Sequence, residues 1–434
     1  MITAGLKVDR MRFFVFVLLC IALPISLQVF LPVSTGVVGI IWRFLTCALI
    51  AICVSKGLSE DTLLNPYYLF LLAPISLLLY SEKVSVYYLL PLENKTWLIA
   101  IMNMYVFVLS MMIGQNSHYS DKYIETEFRR EDKYCTLNST IIMFALGLFP
   151  TIYQLIVGHS LFGSQFFYMM TFIGFVLGYR CNHRKLAIIL LLVSKLLQMA
   201  IYFNKSIILQ TTLVLIVSME VTSKDKATKR KVVIIAGIVT VFTIVIGFVL
   251  KPYLATGGLL SNFLSDYSTT DVLNRMGNRV QWSYNPLFLS PYFYLTTPWC
   301  NLQYTMSNLT EHTYGLWLIK PFLGWIQLSE GIKAYSALVP YRFAYNTFGF
   351  VTVQYVDFGL MGSCISSVIL GLFVGKQYKK IKVCNTSLNI ANYALVSCAV
   401  FEMFFSNHFL MTSYPFTIAF VSWIFKTIAT QRKR

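Results

Sequence analysis

The chain has 434 residues, 57% of them hydrophobic and only 12% charged, with a mean hydropathy of +0.65. Soluble domains carry about a quarter charged residues, so that class is excluded and an all-α polytopic membrane protein is expected. The formal charge of +17 does not imply a nucleic-acid partner, because the basic residues gather at helix ends, where they orient membrane proteins.

Lys7, Arg10 and Arg12 precede an apolar run over 13–30, a pattern shared with signal peptides. Other spans follow and no small-residue cleavage site is evident, so the run is read as a first, uncleaved helix. A helix of about 20 apolar residues crosses a bilayer. The pattern predicts twelve: 13–31, 37–54, 62–80, 96–114, 139–157, 165–179, 186–203, 206–222, 232–250, 356–375, 388–405 and 411–427. Pro66, Pro74 and Pro91 blur the edges of the third and fourth.

With the N-terminus in the cytoplasm, 24 of the 35 Lys and Arg residues fall on that side, nine fall outside, and Arg43 and Lys195 lie within helices. This asymmetry predicts a multi-pass membrane protein with both termini cytoplasmic. Three regions follow: helices one to nine over 1–250, a large outer loop with short interfacial helices over 251–355, and helices ten to twelve with a cytoplasmic tail over 356–434. A loop this long inside a compact protein is usually functional. The nine cysteines form no Cys-x-x-Cys pair and no zinc-like spacing, and only Cys300 falls in the outer loop.

Several residues stand out chemically. Arg275 and Arg279 are four apart; on a helix they share a face, and two guanidinium forks suit a pyrophosphate. A solvated basic patch is the plainer reading. Arg342 is an interfacial anchor or a third such cation. Asp357, at the outer entrance of the tenth predicted helix, can cap backbone N–H groups or handle a proton. His312 is the one histidine of the outer loop; His408 and His159 are the other outer candidates. Lys195, Gln198 and Tyr202 form a polar stripe on the seventh predicted helix, lining a wet cavity or tying helices together. Arg43 could do the same or snorkel outward. No Gly-rich phosphate loop, no Asp-x-Asp pair and no His-Glu-x-x-His helix is present, so neither a cofactor nor a metal is expected.

Tyr345-Asn-Thr-Phe and Tyr355-Val-Asp-Phe-Gly-Leu-Met-Gly362, with the earlier Tyr294-Leu-Thr-Thr-Pro-Trp-Cys-Asn-Leu302, resemble the outer-loop motifs of the Wzy-type O-antigen and capsule polymerases. The match covers about 90 residues, with its specificity concentrated in some 20. The twelve-helix pattern with one late outer loop is similar too, which implies a GT-C-like membrane glycosyltransferase. The resemblance implies polymerisation of undecaprenyl-pyrophosphate-linked repeat units by inverting, metal-independent transfer on the periplasmic face of a bacterial inner (cytoplasmic) membrane. The partners it implies are lipid-linked donor and acceptor, membrane lipids, a chain-length regulator and a flippase. Its catalytic candidates here are Asp357, His312 and Tyr345. Arg275, Arg279, Arg342, Asn346, Lys251, Lys195 and Arg43 are the substrate-binding candidates. The related O-antigen ligases carry a His-Asn pair where this chain has Tyr345-Asn346, which favours a polymerase and leaves the general base open. An O-antigen ligase is the alternative enzyme, and a flippase or transporter the alternative class.

The orientation is testable with single cysteines in a cysteine-free background. In intact spheroplasts an impermeant reagent should label Ser261→Cys and spare Ala227→Cys; the reverse pattern would invert the topology.

Overall fold

The computed structural model describes residues 23–27, 29, 36–60, 62, 64–81, 90–158, 164–202, 205–222, 234, 286–316, 348–404 and 414–431. In chain order these form α1 (Val37–Leu58), α2 (Pro66–Phe70), α3 (Leu72–Leu78), α4 (Asn94–Gln115), α5 (Asp121–Tyr134), α6 (Leu137–Val157) and α7 (Ser164–Arg180). They continue as α8 (Arg184–Tyr202), α9 (Lys205–Thr222), α10 (Pro286–Asn308), α11 (Phe350–Val383), α12 (Ser387–Glu402) and α13 (Tyr414–Gln431). Among the described residues there is no strand. Among the described residues, four helices are long and apolar enough to cross a membrane, namely α1, α4, α6 and α11.

Most predicted spans return as helices within a few residues, but the expected set of twelve is not reproduced. The first is described only in part, and 232–250 lies outside the described residues apart from 234. The span predicted over 62–80 is two short helices meeting at Leu71. Asn65 starts the first, its side chain accepting from the Tyr68 N–H at 3.1 Å, with Pro66 at the first helical position. Pro74 then has no N–H to offer the Phe70 carbonyl. Two helices were not expected. The polar α5 is capped by Ser120, and the 23-residue α10 falls inside the stretch read as an outer loop. Trp299, Cys300 and Leu302 of α10 are buried against the bundle, and Trp299 Nε1 donates to Ser76 Oγ at 2.8 Å.

Helices α4 and α11 pack backbone against backbone, and glycine makes it possible. A Cβ placed on Gly371, Gly375 or Gly114 would be driven into the carbonyl oxygens of Phe107, Met111 and Leu372 respectively. Gly371-Leu-Phe-Val-Gly375 is the small-x-x-x-small spacing that lets apolar helices touch along their backbones. Gly174 and Gly178 repeat the device where α7 meets α6 and α8.

Carboxylates gather the chain at one end of the bundle. Glu60 accepts from Lys382 at 2.6 Å, from Tyr378 at 2.9 Å and from Gln115. Burial pushes the Glu60 carboxyl up, but these bonds and the Lys382 charge outweigh it and hold its pKa below the usual range. Glu131 accepts from the Ser387 N–H at 2.7 Å, capping α12 from another helix, and faces Arg180 at 3.6 Å. These contacts join segments that the basic-residue count had assigned to one side. The same end carries a feature the cysteine spacing had not shown, a Cys135–Cys181 disulfide with Cα atoms 5.8 Å apart. Disulfides persist in oxidising compartments. The bond and the basic-residue count therefore point to opposite sides for this end, and the labelling experiment above decides between them.

Gly375→Leu should force α4 and α11 apart. Overpacking of this kind costs about 1–3 kcal/mol, so the variant should melt earlier in detergent. The control Met361→Ala, at a side chain 78% exposed, should melt like the parent.

Candidate functional site

The 34 residues of α11 do not form one straight rod. Gly359 sits inside it with φ 65° and ψ −160°, which is not helical. Gln354 and Ser367 nevertheless meet, Oε1 to Oγ at 3.0 Å. Thirteen residues of straight helix would hold them about 20 Å apart. Phe350 packs 6.0 Å from the Phe107 ring, at the level where Gly371 also meets Phe107. The chain therefore doubles back at Gly359. A first arm over 350–358 lies beside a second arm over 360–383, and both pack on α4.

Buried polar groups hold the arms together. Asn103 of α4 donates to Ser363 Oγ at 3.2 Å and accepts from Ser367 Oγ at 2.8 Å. The single Ser367 proton goes to Asn103, so the Gln354 contact is made with its amide turned to donate its nitrogen to Ser367. The first arm starts deep in the bundle, where the Phe350 N–H donates to the Met403 carbonyl at 2.9 Å.

The reversal frees backbone carbonyls that a continuous helix would have used, and the segment after α10 satisfies them. The Thr313 N–H donates to Val356 O at 3.0 Å, and the Tyr314 N–H to Asp357 O at 2.9 Å. His312 Nδ1 lies 3.3 Å from the same Val356 oxygen, and its ring meets the edge of Tyr355 at 5.5 Å. A Cβ on Gly359 would sit 3.0 Å from His312 Nε2, so the missing side chain is what admits the imidazole. The Asp357 side chain is fully buried, and the Thr313 hydroxyl donates to its Oδ1 at 2.5 Å. The result is a hairpin tip holding a carboxylate, a hydroxyl and an imidazole that is partly open to the surface. Chemically it can accept, orient or relay a proton. Among the described residues no three His, Cys, Asp or Glu side chains cluster as metal ligands.

Of the residues singled out from sequence, the structure brings Asp357 and His312 together. Asp357 is not at a helix entrance, however: α11 begins at Phe350, with no acid in its first turn. The apolar run that set the expected start at 356 begins within the first arm and continues through the second. Arg43 does not snorkel; it is fully buried, with Nη2 donating to the Tyr80 carbonyl at 3.2 Å. Lys195 is buried too, bonded to Gln198 Oε1 at 2.9 Å and Tyr168 O at 3.3 Å, over the Phe172 ring. It ties α8 to α7 and stands outside the hairpin tip. Lys251, Arg275, Arg279, Arg342, Tyr345 and Asn346 lie outside the described residues, as do His159 and His408.

The sequence reading had passed over Thr313, Tyr355 as a packing partner, and the Asn103–Ser363–Ser367–Gln354 chain. It had also passed over Glu402, a fully buried carboxylate at the end of α12 accepting from Gln210 Nε2 at 3.1 and 3.2 Å. An acid inside the apolar run 388–405 was the available signal.

No family model, curated protein or solved structure matches this chain.

Gly359→Ala should be poorly tolerated, since its conformation is all but confined to glycine and such strain costs about 1–3 kcal/mol. The variant should melt earlier than the parent and lose protection of the Thr313 and Tyr314 amides in hydrogen exchange. Unchanged exchange at those amides would mean that the turn does not depend on glycine.

Proposed function

We propose that this protein is a membrane glycosyltransferase that polymerises oligosaccharide repeat units carried on undecaprenyl pyrophosphate at the outer face of a bacterial cytoplasmic membrane. One coincidence carries the reading. The most specific stretch of the resemblance, Tyr355-Val-Asp-Phe-Gly-Leu-Met-Gly362, is the stretch that forms the hairpin turn and buries Asp357 beside Thr313.

In this reading an acceptor sugar hydroxyl attacks the anomeric carbon of the donor. The new glycosidic C–O bond forms as the bond to pyrophosphate breaks, and lipid pyrophosphate leaves with the electron pair. Asp357, with His312 or Tyr345, receives or orients the acceptor's proton. Arg275, Arg279 and Arg342 supply fixed cations for the leaving group, with Lys251 and Asn346 nearby in the chain. Energy comes from the activated linkage, so no nucleotide site is needed. Arg43 and Lys195 hold helices of the surrounding bundle together.

A re-entrant helical arm is also a device of secondary transporters, whose sites lie at broken helices. A deletion strain separates the classes. A polymerase loss should leave single repeat units on the surface glycolipid and no longer chains. Repeat units trapped on the cytoplasmic face would favour a flippase, and full-length polymer accumulating on the lipid carrier would favour a ligase. In a complemented strain, Arg275→Gln, Arg279→Gln and Arg342→Gln should each lower polymerisation about a hundredfold at normal expression. The lysine versions should keep part of the activity, because they retain the charge and lose the fork.

A further inference from the structure

We infer that Thr313 is a positioning residue, setting the orientation in which the Asp357 carboxylate meets the reacting groups. The inference rests on the reading of Asp357 given above and adds a residue that no motif had marked. Three observations carry it. The Thr313 hydroxyl donates to Asp357 Oδ1 at 2.5 Å, with both side chains buried. The residue's own N–H is fixed on Val356 O at 3.0 Å, one peptide before Asp357, which seats the Thr313 backbone beside the carboxylate. The next N–H, of Tyr314, is fixed on Asp357 O at 2.9 Å. Two main-chain bonds and the Thr313 hydroxyl, which bonds Asp357 Oδ1 and lies a longer 3.4 Å from Val356 O, thus tie a two-residue segment to a two-residue segment across 44 positions of sequence.

The geometry has a chemical purpose that a loop pin alone would not need. Two N–H bonds already dock the segment on the open carbonyls. A third donor aimed at the carboxylate fixes the rotation of that group about its last bond, and with it the direction in which its second oxygen points. A base in a buried site works only when its lone pair is held toward the proton it takes. A hydroxyl suits this task because it donates one bond and adds no charge to a site that must also hold a pyrophosphate.

The test uses the full-length protein in nanodiscs, with lipid-linked repeat units extracted from the deletion strain as donor and acceptor. Thr313→Val keeps the shape and removes the donor; it should lower kcat at least about tenfold, as loss of a bond to a charged group does, with KM within about twofold. Thr313→Ser keeps the donor and should restore kcat to within about twofold of the parent. The decisive arm is the double variant. If Thr313 acts through Asp357, then Thr313→Val should change nothing further in an Asp357→Asn background, whereas a residue that merely stiffens the loop should reduce both backgrounds alike. Should Thr313→Val melt too early to assay, Thr313→Ala in parent and Asp357→Asn backgrounds makes the same comparison. Parent-like kcat for Thr313→Val, equal loss in Thr313→Ser, or additive losses in the double variant would overturn the inference. Full activity of Asp357→Asn is a separate result: it would remove the role given to the carboxylate itself, whatever Thr313 does.

Discussion

A helix that turns back on itself inside an apolar bundle must find partners for the carbonyls it opens, and this requirement organises the region from α10 to α12. Unsatisfied backbone groups cost several kcal/mol each where water is excluded. The protein meets the demand with the N–H groups of Thr313 and Tyr314, which close on Val356 and Asp357. Docking those amides also delivers the side chains between them. His312 can approach because Gly359 has no Cβ, and Thr313 reaches the Asp357 carboxylate. The backbone solution and the assembly of the polar cluster are therefore one event.

The rest of the bundle gives that turn something rigid to rest on. Backbone-to-backbone contact through Gly371, Gly375 and Gly114 locks the second arm to α4. Asn103 bonds the second arm, whose Ser367 reaches the first, from the same helix. At the far end, Glu60 fastens the loop after α1 to the end of α11. Glu131 does the same for α5 and α12. Arg43 and Lys195, for which the sequence left both a cavity lining and a tie between helices open, belong to this frame as ties.

Span positions were legible because apolar runs announce themselves, and α4, α6, α8 and α9 stand within two residues of where the runs place them. What escaped followed other rules. The polar α5 has no apolar run; its buried side carries Glu127 and Glu131, which face cations and an N–H group rather than a greasy surface. The fold-back of α11 is hidden because both arms are apolar, and only Gly359 marks the corner. At the site, Asp357 and His312 could be named from residue type and place. Thr313 could not, because a threonine in a polar stretch is unremarked until the chain is folded against its carboxylate. The disulfide lay equally out of sight, joining cysteines 46 positions apart.

The first arm also constrains how the protein is made. Nine helical residues rise about 13 Å, less than half of the roughly 30 Å of hydrocarbon that a segment must cross to leave the insertion machinery as a stable span. Its polar Gln354 and Asp357 make it a poorer candidate still. The arm can only enter after α4 and the second arm stand in the bilayer, and its seat against Met403 exists only once α12 has been synthesised. The polar cluster is thus completed late in biogenesis, because the seat of the first arm, at the end of α12, lies more than 40 residues further along the chain.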